Sequence, residues 1–307
     1  MFKPLSLPLH FLKNPYIILL VATAMWGTST LFSRMAVGEI SPMWLIFIRW
    51  LGTCLITWPL IAKDLPTYWP ELRPQFLKLC LMGMLGFTAF NACMYIAAHH
   101  TTAINISIIV AAQPIIILMG ASLVFRTPIN LYQILGILIT LLGVAAIASK
   151  GNLETLQKMN FNFGDLFMLL GLVFYALYAL GLRNKPAVPG MVLLGVLSAM
   201  ALVTSLPLVV YEVIEGNFFW PTIKGWSVAA GIILFPSFLA HICFIRSVSM
   251  IGPERAAPFF NLVPFFGTAF AVVLLREQLS LIQICGLALI LPGVWLAERF
   301  TSSKNRD

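Results

Sequence analysis

The sequence predicts an all-α polytopic membrane protein, with ten transmembrane helices as two inverted five-helix repeats and both termini cytoplasmic. Three observations carry this prediction: an apolar composition, one segment written twice 150 positions apart, and a lopsided distribution of Lys and Arg.

Of the 307 residues, 60% are hydrophobic and 10% charged, with a mean hydropathy of +0.94. Soluble domains carry about 25% charged residues, so this chain lacks the polar surface that water demands. About 20 apolar residues cross a bilayer core as a helix, and runs of that length recur throughout. Barrel strands alternate between lipid-facing and lumen-facing residues, whereas these runs are continuously apolar.

In order, the candidate spans cover roughly 16–36, 42–63, 75–98, 102–124, 131–149, 165–183, 189–211, 226–248, 254–275 and 281–299. His99-His100-Thr101 separates the third and fourth as a tight hairpin. The longest loops fall near 64–74, 150–164 and 212–225. The expected organisation is a tail (1–15), a first repeat (16–149), a connecting loop (150–164), a second repeat (165–299) and a C-terminal tail (300–307). The first tail holds three prolines and cannot form one continuous helix. No small-residue cleavage site follows the first apolar run, which reads as an uncleaved span.

The repeated segment is "LYQILGILITLLGV" from 131 and "LIQICGLALILPGV" from 281. Pro114 to Val144 aligns without a gap on Pro264 to Val294. The informative identities are Pro114/Pro264, Arg126/Arg276, Gln133/Gln283, Gly136/Gly286 and Gly143/Gly293. At an offset of 149 the first span joins in, with Trp26 opposite Tyr175 and Arg34 opposite Arg183. Each half therefore holds five spans. An odd number starts the second copy from the opposite face of the membrane, so the halves must be inverted. Inverted repeats build alternating-access carriers with a substrate site near the midplane.

With the N-terminus inside, thirteen Lys and Arg fall on the cytoplasmic side, Lys63, Arg73 and Arg255 among them. Five fall outside: Arg34, Lys150, Lys158, Lys224 and Arg276. This is the positive-inside signature. It accounts for the net charge of +8 without any nucleic-acid partner. The expected setting is a bacterial inner membrane, and the expected partners are the lipid bilayer and a small-molecule substrate.

Three stretches carry a resemblance to a known family. They are "MWGTSTLFSRMA" in span one, "IIVAAQPIIILMGASLVFRTPINLYQILGILITLLGV" through spans four and five, and "APFFNLVPFFGTAFAVVLLREQLSLIQICGLALILPGV" through nine and ten. The chain resembles the EamA-type branch of the drug/metabolite transporter superfamily from about residue 15 to 300. That resemblance implies export or exchange of small metabolites, often amino acids. The family's usual acidic residue after span nine is Glu277; its first-half counterpart is Thr127, a departure from the pattern.

Polar residues inside the spans outline a candidate pathway. Thr88, Asn91, Tyr95 and His99 follow helical spacing on one face of span three. Ser237, His241 and Phe244 do so in span eight, and the 149 offset sets Ser237 opposite Thr88 and Phe244 opposite Tyr95. Thr23, Trp26, Thr30 and Ser33 stripe span one, and Tyr175 and Tyr178 occupy span six. Such residues also join membrane helices by simple hydrogen bonds. Faces matched across an inverted repeat favour a shared cavity. Gln113-Pro114 in span four, and Pro258, Asn261 and Pro264 in span nine, interrupt backbone bonding within the bilayer. Pro114, Pro258 and Pro264 are therefore candidate gating kinks.

No Asp or Glu falls in mid-span, so a carboxylate proton relay is not expected. His241 is the switchable candidate, with a neutral helix-bridging histidine as the plainer reading. Arg49 reads as snorkelling outward or pairing with Glu39. Gly136 and Gly143 read as packing spans within each half. Cys54, Cys80, Cys93, Cys243 and Cys285 lack metal spacing and read as packing residues; no metal or cofactor is expected.

An aromatic cavity without buried charge suits hydrophobic, aromatic or neutral amino acids, moved by a facilitator, exchanger or exporter. Nucleosides and amphipathic drugs are the alternative cargo, and a proton antiporter using His241 the alternative mechanism. An intramembrane enzyme is the remote rival. It lacks an HExxH motif or a positioned base, so the chain is read as no enzyme.

Overall fold

Several helices start at short polar signals that the computed structural model, describing residues 14–101, 103–149, 152, 162–275 and 280–299, makes explicit. Helix α1 (Pro15–Ala36) begins with Asn14 accepting the Tyr16 N–H and proline in the first turn. Leu131–Ala148 begins with a reciprocal box between Asn130 and Gln133. Its repeat partner, Leu281–Arg299, begins with the same exchange between Ser280 and Gln283. Phe163–Gly181 uses Asn162 and Asp165. Each box satisfies backbone N–H groups that hydrocarbon would leave unpaired.

In chain order, the helices after α1 are α2 (Pro42–Ile61), α3 (Leu65–Leu72), α4 (Phe76–Gly83), α5 (Phe90–His100), α6 (Ala103–Val110), α7 (Gln113–Phe125), α8 (Leu131–Ala148) and α9 (Phe163–Gly181). They continue as α10 (Gly190–Ile214), α11 (Ile223–Ile232), α12 (Ala240–Ile251), α13 (Pro253–Ala256), α14 (Leu262–Leu275) and α15 (Leu281–Arg299). No strand occurs among the described residues. Nine helical runs in those residues are long and apolar enough to cross a membrane.

Three differences from the sequence reading have physical causes. The expected loop at 64–74 is helical, so the third run extends over Leu65–His100. Pro66 and Pro74 stand in the first turns of their segments, where a missing N–H costs nothing. The expected ninth span divides into α13, a 3₁₀ segment (Ala257–Asn261) and the 14-residue α14, which is short for a crossing. Finally, two π-helical segments, Met84–Ala89 and Ile233–Leu239, interrupt the third and eighth spans at positions 149 residues apart. Hydropathy cannot reveal them.

Corresponding copies pack on one another in opposite directions. In the α8–α15 pair, a Cβ on Gly136 would lie 2.6 Å from Gly293 O and one on Gly143 would lie 2.7 Å from Gly286 O. The repeated glycines therefore join the two halves rather than the spans within one half, because only a hydrogen side chain allows these backbones to meet. In the α2–α10 pair, Cys54 donates to Ser198 (3.4 Å), while Glu212 accepts the Met43 and Trp44 N–H groups (3.0 Å each). Both pairs are antiparallel, so the halves are inverted. The remaining contacts swap in the same way: α1 lies on α12 and α14, and α9 lies on α5 and α7. Leu123, Leu131, Leu138 and Leu142 face outward, as lipid contact requires.

The two tails and most of the connecting loop, with Arg276 and Glu277, lie outside the described residues.

Candidate functional site

Among the described residues, one cation, Arg49, is buried in the interior of the bundle. Arg49 lies about 10 Å along α2 from its start and is only 6% exposed. Its Nε donates to Ser237 Oγ (3.0 Å) and its Nη1 to Asn91 Oδ1 (2.8 Å). Neither snorkelling nor pairing with Glu39 occurs; Glu39 instead accepts from Thr222 and Lys224. A charged side chain inside a membrane helix costs up to about 2.5–3.5 kcal/mol on insertion scales, so its surroundings must be built for it.

The π segments do that building. Pro236 has no N–H to offer the Ile232 carbonyl, and the Ser237 hydroxyl donates to that oxygen (2.7 Å). Its lone pairs then receive the Arg49 Nε–H. On the other side, Asn91 donates from Nδ2 to Phe87 O (2.5 Å), which turns its Oδ1 toward the guanidinium. Arg49 thus links the π-bearing spans of both halves. Its own repeat counterpart is Ser198, so the charge at this place is not duplicated.

Around it lies a continuous aromatic cluster. Trp50 stacks on Phe87 at 4.3 Å, and Phe87 meets Tyr178 at 5.1 Å and His241 at 4.5 Å. Tyr178 meets Tyr175 at 5.3 Å, and Trp26 stacks on Phe260 at 5.3 Å. Trp26 also touches His241 (5.5 Å) and Phe244 (5.2 Å), and sends its Nε1–H to Pro236 O (3.1 Å). His241 Nδ1 contacts that same carbonyl at 2.9 Å. A carbonyl only accepts, so Nδ1 carries the proton in this contact and Nε2 is left as an acceptor if the ring is neutral. Trp50 Nε1 and the Tyr175 and Tyr178 hydroxyls are buried without a hydrogen-bond partner among the described residues.

The sequence-predicted residues therefore divide. Trp26, Asn91, Tyr175, Tyr178, Ser237, His241 and Phe244 come together at this centre. Tyr95 is half-buried against the core. Thr88 turns away, bonding Ala201 O (3.0 Å) and Thr204 on α10 (2.9 Å); the π segment breaks the face it was expected to share with Asn91. Gln113 donates to Leu172 O on α9 (3.1 Å), just before Pro114 and just after the Ala111-Ala112 turn that separates α6 from α7. Asn261, between Pro258 and Pro264, donates to Thr140 on α8, and its Oδ1 has no partner among the described residues. The Thr30 side chain lies outside the described residues. Sequence reasoning missed Arg49 as a central residue; its place beside an aromatic in mid-helix was the available signal.

Polar clasps join helices at both ends. Where α1 starts, Glu298 accepts from Tyr16 (2.7 Å) and Arg255 (2.8 Å from Nε), while Glu254 pairs with Arg183. The Thr127 hydroxyl sits 3.4 Å from the Glu254 carboxylate. At the opposite end Asp165 accepts from Thr101 (2.6 Å) and Asn105 (3.2 Å), and Glu39 pairs with Lys224 (3.0 Å).

Two stretches of this chain, residues 13–149 and 162–298, each match the EamA-like transporter family. The chain belongs to that family. This EamA-like transporter is an integral membrane protein whose two family repeats are its two halves. It is 25% identical to the uncharacterized transporter YyaM of Bacillus subtilis (strain 168), over 93% of each chain. It is 24% identical to an uncharacterized transporter of Archaeoglobus fulgidus, covering 92% of this chain and 97% of that one. It is 23% identical to the uncharacterized inner membrane transporter YedA of Escherichia coli (strain K12), covering 88% and 86%. A solved crystal structure superposes with a TM-score of 0.75 over 94% of this chain and 98% of the other, at 15% identity, a shared fold.

Proposed function

We propose that this transporter moves hydrophobic and aromatic amino acids across a bacterial inner membrane by alternating access, as an exporter or as a facilitator or exchanger. In this reading the broken Pro253–Leu275 stretch is a tenth crossing and both termini are cytoplasmic. The halves rock about the α2–α10 and α8–α15 contacts. The organisation into repeats at 16–149 and 165–299, flanked by tails, is part of the same proposal.

One observation carries it: Trp26 is stacked on Phe260 and meets Tyr175 and Phe244, so side chains of both halves form one aromatic surface at the centre. Such a surface binds apolar side chains through area and ring geometry. Clasps at both ends supply two sets of contacts that alternating access would open in turn.

Counterflow in proteoliposomes tests the reading. Vesicles preloaded with unlabelled amino acids should accumulate labelled apolar and aromatic ones, and Trp26→Ala should lower that uptake by about tenfold, the equivalent of 1.4 kcal/mol. Silence across the amino acids, with uptake of nucleosides or amphipathic drugs, would replace the cargo. Because His241 touches Trp26, the assay is run with and without a pH gradient. Uptake that demands the gradient and vanishes in His241→Ala would make this a proton antiporter.

A further inference from the structure

The partners of Arg49 narrow the cargo. The guanidinium stays protonated at any physiological pH, yet both of its hydrogen-bonded partners, Asn91 and Ser237, are neutral. Ion pairs among the described residues engage Arg183, Lys224 and Arg255, and none engages Arg49. The described carboxylates nearest to the membrane interior are committed elsewhere. Glu212 holds the first N–H groups of α2, Asp165 holds Thr101 and Asn105, and Glu254 and Glu298 hold arginines at the other end. Among the described residues, the positive charge at the centre of the bundle therefore has no carboxylate partner.

The geometry beside that charge is donor-rich. Nε and Nη1 each spend a proton on a neutral acceptor, while Nη2 has no hydrogen-bond partner among the described residues. Trp50, whose ring lies 5.0 Å from the guanidinium carbon, has a buried and unpartnered Nε1–H. Through Phe87, the same cluster reaches the unpartnered hydroxyl of Tyr178. Planar guanidinium forks recognise planar carboxylates, and buried donors of this kind are satisfied by anionic oxygens.

Resting on the transporter reading above, we propose that Arg49 anchors the carboxylate of the substrate, so that the cargo class is monocarboxylates with an apolar or aromatic body, for which an α-amino group is dispensable. The carboxylate neutralises Arg49 on arrival, and the aromatic cluster receives the body. An ammonium group finds no carboxylate here. It meets ring faces and the Nε2 of His241, and without a carboxylate of its own it is repelled by Arg49. Amino acids are then carried as carboxylates, and their deaminated analogues equally well.

The test pairs ligand-induced thermal stabilisation of the purified protein with counterflow. Four related probes are used: phenylalanine, phenylpropionate, phenethylamine and phenylalaninamide. Wild type should be stabilised by the first two and not by the amine or the amide. In Arg49→Gln the apparent affinity for phenylpropionate should fall by at least about tenfold, with Arg49→Lys, which keeps charge without the fork, in between. A variant that does not purify as a folded protein is replaced by the wild-type probe series, which decides the matter alone. Equal stabilisation by amine and acid, no stabilisation by either acid, or unchanged affinity in folded Arg49→Gln overturns the proposal. Failure of the transport reading looks different: acids stabilise wild type and not Arg49→Gln, but no vesicle accumulates them.

Discussion

Arg49 and Ser237 stand 188 positions apart and in opposite halves of the chain, yet the guanidinium donates to the hydroxyl at 3.0 Å in the buried centre. The contact exists because Pro236 leaves Ile232 without its usual α-helical donor and Ser237 takes that place. Removing the hydroxyl leaves the Arg49 Nε–H without an acceptor in a dry setting. Ser237→Ala should therefore cost about 1–3 kcal/mol, read as a lowered unfolding temperature in detergent, while Ser237→Thr retains most of the stability. An unchanged Ser237→Ala would mean that another group receives Arg49.

The glycine seam between α8 and α15 makes a separate prediction. A methyl at Gly143 would meet the Gly286 backbone oxygen at 2.7 Å and Ile290 Cγ1 at 2.9 Å, and the α15 backbone cannot yield cheaply. Gly143→Ala should destabilise by about 1–3 kcal/mol. Leu142→Ala, on the lipid-facing side of the same helix, should stay within about 0.5 kcal/mol of wild type. Equal effects at the two positions would argue against this packing.

Glu254 and Glu298 join α1, α15 and the 3₁₀ turn Leu182–Asn184 that follows α9 to the start of the broken ninth segment. Replacing both with Gln weakens one end only. Amide hydrogen exchange over residues 253–261 should quicken several-fold, while exchange around Glu39 and Thr222 stays as it was. Uniform quickening would point to global destabilisation rather than release of a clasp.

Glu39 lies outside the spans, and hydrogen bonds from Thr222 and then Lys224 hold its carboxyl below the ordinary value of 4.5. A carboxyl depressed in the folded state stabilises above its unfolded pKa, and that contribution disappears as pH falls through the folded value. The stability gap between wild type and Glu39→Gln should be constant near neutral pH and close progressively below 4.5. A gap that widened on acidification would reverse the sign of this assignment.

Legibility in the sequence followed the range of the interaction. Asn130 with Gln133, and Asn162 with Asp165, are local signals, and the helices start there. Trp26, Tyr175 and Phe244 were readable as repeat-matched aromatic positions, and they meet. An uninterrupted 3.6-residue period sets Thr88 beside Asn91; the π segment at Met84–Ala89 breaks that period, and Thr88 faces α10 instead. Arg49 was misread because a cation a few turns inside a span commonly reaches for water.

By itself, the sequence determined that this chain lives in a membrane, how its spans are punctuated and that its halves are copies. Those properties depend on apolar run length, on caps within four residues and on identity at a fixed offset, all carried along the chain. Only the tertiary structure decided that Gly136 and Gly143 join the two halves, and that Arg49 ends between Asn91 and Ser237 rather than at the surface. The reason is that inside hydrocarbon a polar group takes whatever partner the neighbouring helix presents, and that neighbour is set by packing across the bundle, not by distance along the sequence.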